Sequence, residues 1–79
     1  MTVDAVERFT TVFRQHHPRV LAYARRRIDE SSAADVVAEV FLAAWRHIDE
    51  LPQEPLPWLY RTAARCLANQ VRGDERQRR

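Results

Sequence analysis

The stretch "SAADVVAEVFLAAWRHI", residues 32–48, decides the fold. Its apolar residues do not alternate. Val37, Phe41, Ala44 and Ile48 recur at three- and four-residue steps, the period of an α-helix with one buried side. Ser32 with Asp35 three residues on makes a start like a capping box, with an acid near the positive end of the helix dipole. The spacing predicts a helix over 32–48.

Working outward, a helix is expected from about Val3 to Gln15, with Val6, Phe9 and Phe13 on one side and Val3 beside them. Pro18 suits the first position of a following helix, where its missing N–H is not needed. That second helix is expected over 18–29, burying Val20, Leu21, Ala24 and Ile28. Downstream, "DELPQEPLP" (residues 49–57) holds three of the four prolines and predicts a stiff connection. A last helix then starts near Pro57 or Trp58 and runs into an arginine tail, expected to be mobile from Gly73 onward. With one glycine, no alternating segment and no internal repeat, the fold class is all-α, a compact bundle of three to four helices.

Seventy-nine residues make one small domain, near the lower size at which an apolar core holds without staples. The single Cys66 cannot form an internal disulfide, which fits a reducing, cytoplasmic setting. No apolar run approaches the ~20 residues of a membrane span, and no signal peptide is visible.

The net charge of +2 conceals a segregated pattern. Residues 1–28 carry six arginines against Asp4 and Glu7, a balance of +4. Residues 29–54 carry seven acids against Arg46, a balance of −6, and residues 58–79 return to +4. Such a chain suits two unlike partners, one cationic and one anionic. Solvated helix faces that neutralise one another are the plain alternative.

Two faces are not explained by packing. On the helix over 32–48, Asp35, Glu39, Leu42 and Arg46 lie within a ~60° sector away from the apolar stripe. A leucine flanked by carboxylates reads as the apolar centre of a small interface for a basic partner, or as a solvated face with one exposed apolar residue. On the last helix, Arg61, Arg65, Arg72 and Arg76 share a ~80° arc with Trp58 and Asn69, opposite Leu59, Ala63, Cys66 and Leu67. Guanidinium groups bind phosphate bidentately and stack on bases, which lysine does not do. Trp58 and Tyr60 at the helix start offer faces for unstacked bases, or serve as core and rim; Asn69 has the donor and acceptor needed for an adenine edge.

Catalysis finds little support. His16, His17, His47 and Cys66 lack metal-ligand spacing, the paired histidines read as a solvated helix end, and no glycine-rich phosphate loop exists. No cofactor is implied.

"DVVAEVFLAAWR", a proline-bearing loop and "WLYRTAARCLANQVRGDERQRR", preceded by "FRQHHPRVLAYARRRI", together resemble region 2 of the extracytoplasmic-function sigma factors of bacterial RNA polymerase. The resemblance covers almost the whole chain, and the order and spacing of these segments are more specific than any one of them. It implies a transcription initiation module with no catalysis of its own. The helix over 32–48 would dock on the clamp helices of the RNA polymerase β′ subunit through Asp35, Ala38, Glu39, Leu42 and Arg46. The loop and helix over 49–72 would recognise and melt the promoter minus-ten element, holding a flipped base of the non-template strand. On that view Arg61, Arg65 and Arg72 grip phosphates, Trp58 and the loop wedge the duplex open, and Asn69 and Arg76 belong to the same DNA-binding surface.

The chain departs from the common family text "WLYRIARNLAIDHLR" at Ala64, Arg65 and Cys66, and at Asn69, where aspartate is frequent. Ala38 stands where a polar residue is common. The helix-turn-helix that reads the minus-thirty-five element in complete members has no counterpart here, which reads as an excised domain or a stand-alone form. The resemblance also implies an anti-sigma factor as partner, and the exposed docking faces predict weak homodimers of the isolated domain. The competing functions are an autonomous helical DNA-binding domain and a pure protein-interaction module.

Overall fold

Every long apolar segment is helical in the computed structural model, which describes residues 2–77 and their side chains through residue 73. Helix α1 spans Val3–Arg25, α2 spans Glu30–Arg46 and α3 spans Leu56–Gln77, with a 3-10 turn at Ile48–Glu50 between α2 and α3. All three helices pack on one another.

The expected break before Pro18 does not occur, and the first two expected helices are one. Pro18 sits on the exposed side of α1, so the carbonyl it leaves unpaired, that of Arg14, can turn to water. Buried residues on both sides of it, Val12 before and Val20 and Ala24 after, hold the helix through the proline. The packed stripe of the first half also differs from expectation. Ala5 and Val12 are buried, whereas Val3 and Val6 are exposed. His16 and His17 are half-buried in mid-helix rather than at a solvated end. The His17 ring lies 4.6 Å from that of Phe13 and 5.6 Å from that of Phe41, joining an aromatic cluster between α1 and α2.

Helix α2 starts three residues earlier than the serine cap predicts. Its N-cap is Asp29, whose side chain accepts from the Ser32 N–H and the Ser31 hydroxyl. These bonds hold the Asp29 carboxyl below its ordinary 3.8, the Ser31 hydroxyl contributing most. A depressed carboxyl adds stability that is present above the ordinary value and lost as pH falls through the folded one. Fraying of the first turn of α2 is therefore expected only below about pH 3.8, and Asp29→Ala should remove that step from an NMR titration of the Ser32 amide. A step that survives the substitution would belong to another carboxylate.

The core is a small-residue seam with branched residues between. Val20, Ala24, Ala33, Val40, Ala44, Leu59 and Ala63 have no exposed surface. Alanines bring the helix axes close, and Leu59 fills the space that remains. Ile48 and Leu51 continue the core into the connection, which ends at the buried Pro55. Arg8 of α1 ties that connection down, its guanidinium donating to the carbonyls of Leu51 (3.0 Å) and Pro52 (2.8 Å). Helix α3 continues past Gly73 to Gln77.

Candidate nucleic-acid and protein interfaces

On α2, the side opposite Val36, Val37, Val40 and Ala44 carries Asp35, Ala38, Glu39, Leu42 and Arg46, and all five are exposed. Leu42 leaves 48% of its surface in water, a large value for a leucine between buried Phe41 and the core-facing Ala44. Among the described residues no ion pair engages Asp35, Glu39 or Arg46, so the charges of this strip are not consumed within the domain.

Glu39 has a neighbour that its sequence position does not disclose. It lies beside Cys66 of α3, and burial together with the Glu39 carboxylate pushes the thiol up from its ordinary 9.0. The α2 strip thus reaches the groove between α2 and α3.

That groove, about 200 Å³, is lined by Ala43 and His47 from the α2 side and by Trp58, Thr62, Arg65, Cys66 and Asn69 from α3. Helical spacing explains the α3 set, since Trp58, Thr62, Arg65 and Asn69 advance by three and four residues. Thr62 is buried and donates its hydroxyl to the Trp58 carbonyl at 2.9 Å. Trp58 is half-buried, packed on the core with its ring 6.3 Å from that of His47. The indole therefore has both characters weighed from sequence, a core contact and a partly open face.

Arg61, Arg65, Asn69 and Arg72 are exposed along α3. The Arg72 guanidinium donates to the Asn69 side-chain carbonyl. That bond takes one of the two lone pairs of the Asn69 oxygen and leaves the other, with the amide N–H donors, for a base edge. Arg76 belongs to α3, but its side chain lies outside the described ones. Trp58, Arg65 and Asn69 converge on one groove, whereas Arg61 and Arg72 flank it.

Tyr60 takes the other role foreseen for it. Its ring stacks on that of Tyr23 at 5.1 Å, at the junction of α1 and α3 and away from the groove. His47 is the residue that sequence reasoning passed over. It caps the C-terminus of α2, and only the turn after that helix swings it onto Trp58.

Among the described residues no three His, Cys, Asp or Glu side chains gather as metal ligands. No described helix is long and apolar enough to cross a membrane.

The family profile of sigma-70 region 2 matches residues 12–77. A curated relative, RNA polymerase sigma factor NccH of Alcaligenes xylosoxydans xylosoxydans, is 41% identical over 51 residues, which are 60% of this chain and 27% of that protein. The chain thus spans about a quarter of that relative's length. No solved structure matches.

Proposed function

The chain belongs to the sigma-70 region 2 family, and from that premise we propose that it docks on core RNA polymerase through α2 and captures the non-template strand of the promoter minus-ten element with α3. The observation that carries this reading is the placement of two strips of opposite sign on adjacent helices, acidic and apolar on α2, arginine-rich on α3, with no ion pair to Asp35, Glu39, Arg61, Arg65 or Arg72 among the described residues. Asp35, Glu39 and Leu42 meet the basic clamp helices of β′, with Ala38 and Arg46 at the margin. Arg61, Arg65 and Arg72 follow the phosphates. The groove of Trp58, His47 and Asn69 lies beside unstacked bases, and extrusion of a base, which costs a few kcal/mol, is offset by stacking and strand contacts. The module performs no catalysis. Membership of the extracytoplasmic-function group, an anti-sigma partner and a cytoplasmic location are part of the same proposal.

The test is a fluorescence-anisotropy comparison of a labelled non-template oligonucleotide carrying a minus-ten element with the matching duplex, in the presence of core polymerase. Preference for the single strand is expected. Preference for duplex would instead favour an autonomous major-groove binder. Arg65→Ala should weaken binding to all sequences and lower the slope of log K against log salt by roughly 0.7, the value for one phosphate on a single strand. Asn69→Ala should alter sequence preference more than mean affinity. If the Arg65 effect varies from base to base, Arg65 is a base reader and not a phosphate contact.

A further inference from the structure

A second basic feature stands outside the α3 groove. At the C-terminal end of α1 three arginines occur in succession, Arg25, Arg26 and Arg27, and they are not equivalent. Arg25 is paired with Glu30, its guanidinium donating to the carboxylate at 2.7 Å and 3.1 Å. Arg27 has no acidic partner among the described residues. Its guanidinium carbon lies 3.7 Å from the centre of the Tyr23 ring, and one of its terminal nitrogens donates to the Tyr23 carbonyl at 2.9 Å. Tyr23 in turn rests on Tyr60 of α3. Tyr60, Tyr23 and Arg27 form a column that fixes a cation at the α1–α3 junction.

Arg27 and Arg72 line one shallow cleft, whose floor is Leu67, Ala68 and Val71 of α3. Each of the two guanidinium groups is held by a hydrogen bond within the domain, Arg27 by the Tyr23 carbonyl and Arg72 by Asn69. A side chain already confined loses less rotamer freedom when it binds, so this pair is pre-organised for an anion between them. Each retains further N–H donors for that anion. The cleft is continuous with the arginine row of α3, because Arg72 belongs to both.

We propose that Arg27, with Arg72, forms a second phosphate clamp that extends the DNA track of α3 across onto α1. This rests on the reading of α3 as a nucleic-acid surface. The ligand is a phosphodiester of the DNA already held by α3, either in the melted strand or in the duplex next to it.

The test uses the 79-residue chain with two labelled probes: a single-stranded minus-ten oligonucleotide, and a fork carrying the same strand joined to upstream duplex. Binding is followed from low to moderate salt for the unsubstituted domain, Arg27→Ala, Arg27→Lys and Arg65→Ala. Arg27→Ala is expected to weaken binding roughly threefold or more at moderate salt and to lower the salt slope by about 0.9 if it meets a duplex phosphate, or about 0.7 on a single strand. Loss on the fork alone places the clamp on duplex, and loss on both probes places it on the melted strand. Arg27→Lys should restore the slope, because a point charge suffices for counterion release while the stack on Tyr23 weakens.

Unchanged affinity and slope in Arg27→Ala, with both reduced in Arg65→Ala, would sink the clamp and leave the α3 reading standing. Equal loss in the alanine and lysine variants would make Arg27 a packing residue and overturn the proposal. No binding by the unsubstituted domain, with core polymerase added as well as without it, would overturn the clamp and the α3 reading together. An Arg27-dependent interaction with a polyglutamate peptide, with DNA binding unaffected, would assign the cleft to an acidic protein and equally overturn it.

Discussion

Glu39→Arg is expected to weaken binding of the domain to an isolated β′ clamp-helix fragment by roughly ten- to a hundredfold, about 1.4 to 2.8 kcal/mol. The substitution removes an attraction and installs a repulsion at the same point, so it acts more strongly than truncation. Glu39 is exposed and faces outward on α2, and no buried core residue depends on it for packing, so the fold should persist by circular dichroism. A built-in reporter checks the side chain's position. The Glu39 carboxylate helps hold the Cys66 thiol above its ordinary value, so replacing it with a cation should lower that value and speed thiol modification at a fixed pH near 8. Faster modification with undiminished docking would show that Glu39 sits where described but that the partner approaches another face. Salt should diminish the affinity difference, since the lost term is electrostatic.

The second large effect concerns stability. Leu59 has no exposed surface and is among the largest side chains fully enclosed by the bundle. Leu59→Ala removes its transfer free energy and leaves a cavity, together about 2.7 to 5 kcal/mol. A domain of this size has about 5 to 15 kcal/mol at most and belongs near the lower end. The midpoint of thermal unfolding should therefore fall by roughly 15 °C or more, and the variant is expected to be substantially unfolded at 37 °C. Leu42→Ala is the matched comparison, the same chemical change at a residue that is 48% exposed. Its effect on stability should stay within about 0.5 kcal/mol, while its docking should weaken. A Leu59→Ala melt within a few degrees of the unsubstituted domain would mean that the seam repacks, contrary to the close approach its alanines impose.

Which parts of this molecule were legible in the sequence follows from which physical terms are local. The stripe of Val37, Phe41, Ala44 and Ile48 repeats with the helical period, and all four are buried as expected. The same periodicity put Asp35, Glu39, Leu42 and Arg46 on an exposed side, because a helix has no other place for them. Pro18 misled because its local rule names a helix start, whereas the outcome was set by Val12, Val20 and Ala24 packing on either side of it. The cap of α2 was ambiguous for a related reason. Asp29, Ser31 and Ser32 are all capping residues, and only the hydrogen bonds select Asp29.

The interfaces divide in the same way. Residues that share a face of one helix, such as Arg61, Arg65 and Arg72, were readable from spacing alone. Juxtapositions across elements were not. His47 reaches Trp58 through a 3-10 turn, Glu39 meets Cys66 across two helices, and Tyr60, left open by the sequence between base stacking and packing, packs on Tyr23. Each depends on the angle at which the helices cross, a property of the packed core and not of any window of sequence.

Arg8 grips the connection before α3 by two main-chain carbonyls, which every amino acid supplies. Leu51 and Pro55 are anchored in the core, and between them Pro52, Gln53 and Glu54 are exposed. The connection therefore resembles an interchangeable cassette between fixed posts. Mutation, whether natural or in a designed library, is free to rewrite its outward side chains without renegotiating the bundle. Arg8 and the two posts are the mounting that would let each new loop be tried at little risk to the fold.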